Sequence, residues 1–178
     1  MPRQMTRVSV ITSASGNGGT TFARALAERL GVPFVELDAL NYGPGWVQAT
    51  PEELHARVAP IVATDSWVID GSYRGKLGDL VLQRTDLVVW LDLPMHVWLP
   101  RLLRRTLGRI VRQEVLWSGN RETLRGAFVG RDALIPWSLR HCRRRRRVYP
   151  EALGRFNPVR LRTPADVERF LRSAGYAK

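Results

Sequence analysis

Cysteine, lysine and long apolar runs are all scarce in this chain of 178 residues. The single cysteine, Cys142, cannot form an internal disulfide, which excludes a disulfide scaffold and suits a reducing cytoplasm. The longest apolar stretches, 87–91 and 95–99, are far shorter than the roughly 18 residues that a membrane span needs. Residues 1–5 lack the apolar core of a signal peptide, which again favours a cytoplasmic protein.

Arginine, in contrast, is abundant and unevenly distributed. The net charge is +12, and the 28 basic residues comprise 26 arginines and only two lysines, Lys76 and Lys178. Seventeen arginines lie between Arg101 and Arg162, a stretch with only four acidic residues. Such a concentration favours a phosphate-rich partner, which could be a nucleotide, a nucleic acid or an anionic lipid. The alternative is a solvated arginine face that has no ligand.

Short apolar runs alternate with helical patterns along the chain. The predicted strands are 7–12, 33–37, 67–70, 86–92 and 159–162. The predicted helices are 21–30, one beginning at Thr50, 94–112 with a kink at Pro100, and 164–171. This alternation predicts an α/β fold with a doubly wound parallel sheet in a single domain, 1–178. Residues from about 113 to 130 have weak periodicity and several glycines, which predicts a mobile lid inserted into the domain.

The first predicted strand is followed by a glycine-rich loop and then by a helix. Backbone N–H groups of such a loop, together with a helix N-terminus, direct positive partial charge at an anion. The loop reads Ser-Ala-Ser-Gly-Asn-Gly-Gly-Thr over residues 13–20. Against G-x-x-x-x-G-K-[ST], Gly18 and Thr20 match, whereas Ser13 replaces the first glycine and Gly19 replaces the lysine. A tight strand-to-helix turn without a ligand is the alternative.

Several further segments, in this order and spacing, carry a resemblance to a known family. They are Val35-Glu-Leu-Asp-Ala-Leu40, Gly43-Pro-Gly-Trp46, residues 67–74, Val88-Val-Trp-Leu-Asp-Leu-Pro94, residues 101–106, Gly119-Asn-Arg-Glu122 and residues 159–164. With loop 13–20, they make the chain similar over nearly its whole length to the adenylate-kinase-like P-loop kinases. Within these it most resembles the bacterial topology modulation proteins. The resemblance implies a five-stranded sheet of order 2-3-1-4-5 with an arginine-rich helical lid, and ATP with Mg²⁺.

The resemblance also assigns roles to individual residues. The residues that it implies for nucleotide binding are Ser13, Gly16, Asn17, Gly18, Gly19, Thr20, Thr21, Arg104 and Arg162. Thr20 and Asp92 would bind Mg²⁺, although Asp92 could instead cap the helix that follows Pro94. Asp38 would orient or deprotonate the acceptor hydroxyl, unless it only forms an Asx turn.

The remaining assignments concern the acceptor and the transferring phosphoryl group. Gly71, Tyr73 and Arg74 resemble an acceptor-binding element in which Arg74 holds an anionic group. Catalytic roles are implied for Arg105, Arg109 and Arg131, with Arg121 and Arg125 as further candidates, while salt-bridged helix faces are the alternative. The run Arg143–Arg147 cannot share one helix face. We therefore expect it at the surface, with nucleic acid as a candidate partner.

Gly19 is the main departure from the family pattern, because a P-loop lysine contacts the β- and γ-phosphates and glycine offers only its N–H group. Losing one charged contact of this kind costs on the order of 10²–10³ in rate. Three interpretations remain open. The protein is a small-molecule or nucleotide kinase in which an arginine replaces the lysine, a nucleotide-binding protein with weakened catalysis, or a basic nucleic-acid-binding protein on a kinase scaffold.

Overall fold

The structure, a computed structural model, describes residues 6–174 and contains one five-stranded parallel sheet. Its strands are β1 (Arg7–Thr12), β2 (Phe34–Glu36), β3 (Trp67–Asp70), β4 (Leu87–Leu91) and β5 (Val159–Leu161). Their order across the sheet is β2-β3-β1-β4-β5, which confirms the predicted topology. In this order β1 is central, so the loop that follows it lies at the middle of the carboxyl edge, where ligands bind in open α/β sheets.

Eight helices connect and cover the strands of the described part of the chain. They are α1 (Gly19–Leu30), α2 (Leu37–Asn41), α3 (Pro51–Val62), α4 (Arg74–Leu77), α5 (Met95–Val111), α6 (Leu124–Phe128), α7 (Leu134–Gly154) and α8 (Pro164–Ala174). Short 3₁₀ turns occur at Pro44–Trp46, Leu82–Arg84 and Trp117–Gly119. Helix α3 begins as predicted, with Thr50 and Glu53 forming a reciprocal capping box and Pro51 at the first helical position.

Alternating side chains of the strands separate the core into two faces. Val8 and Val10 of β1 pack with α1 and α8 on one face of the sheet. Ile11 and the β4 residues Val88 and Trp90 pack on the other face against α7. Because successive strand residues point to opposite faces, this alternation produces helices on both sides of the sheet. The doubly wound arrangement predicted from the sequence is therefore present.

Element boundaries differ from the prediction at a few positions that matter for the site. Asp38 lies in the first turn of α2 rather than in a loop. Helix α5 continues through Pro100 from Met95 to Val111, and α8 extends to Ala174. Within residues 6–174, none of the helices combines the length and the apolar character that crossing a bilayer requires.

Candidate active site

The loop between β1 and α1 presents a row of unpaired backbone donors. Gly16 and Gly18 adopt φ values of 87° and 83°, a region that favours glycine. Among the described residues, the N–H groups of Ser15, Gly16 and Gly18 have no hydrogen-bond partner. Helix α1 begins at Gly19 with no side-chain cap, so its first-turn N–H groups are also free. This cradle fits an anion such as a phosphate group.

Two side chains that were predicted to bind the nucleotide form hydrogen bonds within the fold and stabilise the loop. The buried Ser13 hydroxyl donates to Asp92 Oδ1 at 2.7 Å and accepts from Trp90 Nε1 at 2.8 Å. The Asn17 amide donates to the Ala14 carbonyl and accepts the Leu93 N–H, both at 3.1 Å. Ser13 and Asn17 therefore shape the loop through their side chains, and their N–H groups donate to the Leu91 and Ala14 carbonyls.

Glycine at positions 16 and 19 is required by close packing. A Cβ atom on Gly16 would lie 2.6 Å from the Trp98 carbonyl oxygen. A Cβ atom on Gly19 would lie 2.6 Å from Thr12 Cγ2 and 2.9 Å from Asp70 Oδ1. The position that carries lysine in the motif is thus filled by neighbouring side chains.

We expect Gly19→Ala to lower the free energy of unfolding by about 1–3 kcal/mol, because the added methyl group overpacks this contact. Adding Thr12→Ser, which removes Cγ2, should recover part of the loss. Gly154→Ala is the matched control, since its Cβ would meet no atom within 4 Å. Urea unfolding of the four proteins measures the effect, and an unchanged Gly19→Ala variant would contradict this packing.

A group of oxygen ligands lies beside the cradle, at the ends of β2 and β3. The Thr20 hydroxyl is 2.7 Å from Asp70 Oδ2 and 3.2 Å from Glu36 Oε1. Burial raises the pKa of Asp70 to about 7, and the nearby Asp38 and Glu36 charges add to this while the Thr20 hydrogen bond opposes it. Among the described residues no group of three His, Cys, Asp or Glu is arranged to hold a metal alone. One hydroxyl and one carboxylate nevertheless fit Mg²⁺, which usually takes its other ligands from phosphates and water.

Asp92 occupies a different environment from the metal site predicted for it. Its carboxylate accepts from Arg146 Nε at 2.7 Å, from Arg160 Nε at 3.1 Å and from the Ser13 hydroxyl. Burial disfavours its ionised form, but these hydrogen bonds outweigh burial and hold the pKa of Asp92 below its usual value. The Thr20 hydroxyl pairs with Asp70, not with Asp92. Asp70 ends the predicted strand 67–70 after an apolar run, just as Asp92 follows its own apolar strand, and this pattern marks Asp70 as a candidate that the sequence prediction lacked.

Asp38 and Tyr73 meet on the β2–β3 side of the cleft. The Tyr73 hydroxyl donates to Asp38 Oδ1 at 2.6 Å, and Tyr73 itself has φ 41°. Burial raises the pKa of Asp38, while Tyr73 and the charges of Arg105 and Arg145 partly offset it. Asp38 Oδ2 has no hydrogen-bond partner among the described residues.

The cationic groups of Arg74 and Lys76 both have partners within the fold. Arg74 Nη2 lies 2.7 Å from Asp79 Oδ1, and Asp79 also pairs with Arg155. The Lys76 ammonium donates to Asn41, to Gln48 and, at 2.7 Å, to the Ala49 carbonyl. The charge of Arg74 is already compensated, which argues against its predicted role of holding an anionic acceptor group.

Arginines of α5 and of its C-terminal cap line a groove of about 310 Å³. They are Arg101, Arg104, Arg105, Arg109 and Arg112. Arg109 pairs with Glu122 at 3.0 Å and with Glu114 at 3.6 Å. Desolvation and then the Arg109 charge lower the pKa of Arg105, whereas the charges of Asp38 and Glu36 oppose that shift. Arg105 thus connects the groove to the acidic side of the cleft. Arg121, Arg125 and Arg131 are exposed.

The side chains of the arginine run on α7 differ in exposure. Arg143, Arg144 and Arg147 are exposed, whereas Arg145 and Arg146 are half-buried. Arg145 Nη1 donates to the Thr12 carbonyl at 3.3 Å, and Arg146 pairs with Asp92. Two members of a run that the sequence places at the surface therefore reach the ends of the central strands, Arg145 at Thr12 and Arg146 at Asp92.

A second groove, of about 290 Å³, lies at the ends of β4 and β5. Its lining consists of Asp92, Pro94, Arg146, Arg160 and Arg162. Arg162, predicted to stack on adenine, is exposed at this groove beside the loop.

The inserted segment 113–130 lies against the loop that follows α2. Trp117 Nε1 donates to Glu36 Oε2 at 3.2 Å, and the Ser118 hydroxyl donates to the Tyr42 carbonyl at 2.8 Å. The Asn120 side chain bonds the Gly43 carbonyl at 2.9 Å and the Trp46 N–H at 3.0 Å. The segment therefore covers the cleft beside Glu36.

Comparison with known proteins identifies the fold. No protein-family model and no curated protein matches the sequence. Among solved structures, the gluconokinase from Sinorhizobium meliloti 1021 is similar with a TM-score of 0.56 and 18% identity, covering 97% of this chain and 90% of that one. A shikimate kinase from Bacteroides thetaiotaomicron has a TM-score of 0.58 and 17% identity, covering 94% and 95%. The chain has the P-loop kinase fold.

A shikimate kinase from Acinetobacter baumannii, solved with shikimate, has the same P-loop kinase fold at a TM-score of 0.56. It is 13% identical, over 96% of this chain and 91% of that one. Identities this low support the shared fold and no individual residue role. The narrower resemblance to topology modulation proteins stays a prediction from the sequence.

Proposed function

We propose that the protein is an ATP-dependent kinase that phosphorylates a hydroxyl group of a small molecule. The observation that carries this proposal is the open cradle of N–H groups at the end of β1. Thr20 and Asp70 lie beside this cradle, and Asp38 lies nearby on the same edge of the sheet. These are an anion site, a pair of Mg²⁺ ligands and a candidate general base, which a P-loop kinase fold uses together.

When bound, ATP supplies the phosphoryl group, and Mg²⁺ reduces the negative charge of the phosphates. The N–H groups of Ser15, Gly16, Gly18 and the first turn of α1 would hold the phosphates, and Thr20 with Asp70 would hold Mg²⁺. Arg105 lies within electrostatic range of Asp38 and Glu36 and would neutralise further charge, whereas Glu122 and Glu114 already compensate the charge of Arg109. The groove beside Arg162 is our candidate for the base. Arg104 lines the α5 groove, so a nucleotide role for it also belongs to this proposal.

Asp38 would act on the acceptor. Its Oδ1 already accepts the Tyr73 hydroxyl, so Oδ2 is the oxygen that can accept a proton from an acceptor hydroxyl. Glu36 and Asp70 surround the same space with further acceptors. This environment suits a neutral hydroxyl donor better than an anionic group.

Two other functions start from the same fold. Weak nucleotide binding without transfer is favoured by Gly19, which carries no charge on the phosphates. Nucleic-acid binding is favoured by the exposed Arg143, Arg144 and Arg147 and by the net charge of +12. A cytoplasmic location is also part of the proposal, and it rests on the lone, buried Cys142.

Calorimetric titration with ATP, with and without Mg²⁺, tests the proposal. We expect Mg²⁺ to tighten ATP binding by at least tenfold, and Thr20→Val to remove most of that gain because it deletes a metal ligand. Thr64→Val is the matched control, since its hydroxyl bonds only the Ile61 carbonyl at the end of α3. Absence of ATP binding at moderate salt would contradict the kinase proposal. Tight, strongly salt-dependent RNA or DNA binding would then favour the nucleic-acid alternative.

A further inference from the structure

The phosphate-binding loop has no room for a lysine of its own. A Cβ on Gly19 would lie 2.6 Å from Thr12 Cγ2 and 2.9 Å from Asp70 Oδ1, at the point where a longer side chain would have to start. Positive charge on a phosphate in the cradle must therefore come from another part of the chain. Lys76 cannot supply it, because Asn41 and Ala49 hold its ammonium group.

Arg145 reaches the start of the loop from α7. Its Nη1 donates to the carbonyl of Thr12, the last residue of β1, at 3.3 Å. The Trp137 ring supports the guanidinium, whose central carbon is 5.2 Å from the ring centroid. The Arg145 charge also lowers the pKa of Asp38, which puts the guanidinium within electrostatic range of both the loop and the candidate base.

The half-buried Arg145 charge has no carboxylate partner. In the part of the chain that the structure describes, Arg145 forms no salt bridge, whereas the adjacent Arg146 pairs with Asp92. A partly desolvated charge without a counterion is unfavourable, and an anion beside it removes that cost. The hydrogen bond to Thr12 uses one of five guanidinium N–H donors, so others remain for a phosphate.

We infer that Arg145 supplies, from α7, the positive charge on the terminal phosphate of ATP that a lysine supplies from the loop in other P-loop proteins. This inference rests on the proposed function, because it names the group that completes the same phosphate site. Arg145 donates to the Thr12 carbonyl and to the terminal phosphate together, so its removal affects a triphosphate more than a diphosphate.

Calorimetry with MgATP and MgADP on the wild-type protein, Arg145→Gln and Arg145→Lys tests the inference. Gln keeps a donor for the Thr12 carbonyl without charge, and Lys keeps the charge without the planar fork. We expect Arg145→Gln to weaken MgATP binding by about 30-fold, typical of one lost charge-assisted hydrogen bond, and MgADP binding by less than threefold. Arg145→Lys should retain most of the ATP affinity. Arg172→Ala, on the exposed face of α8, is the control variant.

Four results would overturn the inference. Equal losses of ATP and ADP affinity in Arg145→Gln would mean that Arg145 only shapes the loop. Full affinity in Arg145→Gln, or Gln and Lys variants that behave alike, would mean that its charge is not used. If the wild-type protein binds MgATP and the variants do not differ from it, the kinase proposal survives and this inference fails. If the wild-type protein binds neither nucleotide, both fail.

Discussion

Asp38→Asn is expected to slow phosphoryl transfer by about 10²–10⁴-fold while leaving MgATP affinity within about threefold of the wild-type value. The substitution keeps the side-chain shape beside Tyr73 but removes the oxygen that can accept a proton. A coupled assay for ADP release, run over a panel of small hydroxyl compounds, identifies an acceptor. The same assay then compares the two proteins on that compound.

The pH dependence of transfer provides a second readout for Asp38. Burial raises the pKa of Asp38, so the reactive, ionised form increases with pH over a range above that of an exposed aspartate. We expect the transfer rate of the wild-type protein to rise with pH over this range. The Asp38→Asn variant should show no such rise. Tyr73→Phe should move this rise in rate to higher pH, because the hydrogen bond that it removes stabilises the carboxylate. An Asp38→Asn variant that loses ATP binding instead would place Asp38 at the nucleotide.

Asp92→Ala is expected to cost about 3 kcal/mol of stability, the largest loss that we predict for a single side chain. The substitution leaves the charges of Arg146 and Arg160 and the buried Ser13 hydroxyl without their common acceptor. In a domain of this size such a loss lowers the melting temperature by roughly 6–12 °C. Differential scanning calorimetry measures it directly.

Asp132→Ala is the matched control, because Asp132 is 94% exposed and its pair with Arg140 should contribute little. The pH dependence of the stability difference tests whether the charge of Asp92 causes the loss. The folded-state pKa of Asp92 is lowered, so its stabilising effect is present above the unfolded pKa of about 3.9 and is lost as pH falls through the folded value. The difference between wild type and Asp92→Ala should therefore be constant above about pH 5 and shrink below about pH 4. A difference that persists unchanged at pH 3 would point to packing alone.

Asp70 offers an independent pH test of the apo protein. Its folded pKa of about 7 exceeds the unfolded value, so the neutral form stabilises the fold at low pH and this contribution is lost as pH rises towards 7. Asp70→Asn should match the wild-type melting temperature near pH 4 and exceed it at pH 8. Equal pH profiles for the two proteins would contradict a shifted pKa at this position.

Local patterns in the sequence were sufficient to predict the sheet. The strand 67–70 and the start of α3 at Thr50 follow from an apolar run and from a capping box, which depend on neighbouring residues alone. The order of the strands came from a family resemblance, because periodicity does not reveal which strands are neighbours. Helix α2 was missed, since its five residues after Glu36 are too few for a periodic signal.

The candidate site was harder to predict, because its contacts join residues far apart in the chain. Asp92 and Asp70 both end apolar strands, and only the sheet order shows that the Thr20 hydroxyl lies against Asp70. Gly19 reads as a missing lysine in the sequence, whereas the structure shows a closely packed glycine. The sequence alone does not distinguish Arg145 from the four other arginines of its run. Successive residues of a helix point in different directions, so the role of Arg145 can be recognised only when the buried side of α7 is known.

The hydrogen bonds of the inserted segment lower the apparent affinity of any ligand that must displace this segment. Five hydrogen bonds link it to Glu36 and to the loop after α2, through Trp117, Ser118, Asn120 and the indole of Trp46 on the Arg121 carbonyl. At about 0.5–1 kcal/mol each they favour the docked arrangement by about 2.5–5 kcal/mol, so the undocked form is a minority of between about one molecule in 100 and one in several thousand. A ligand that reaches Glu36 from this side binds only that minority, and its apparent affinity is reduced by the same factor. A millimolar dissociation constant for such a ligand would then conceal an intrinsic affinity in the micromolar range.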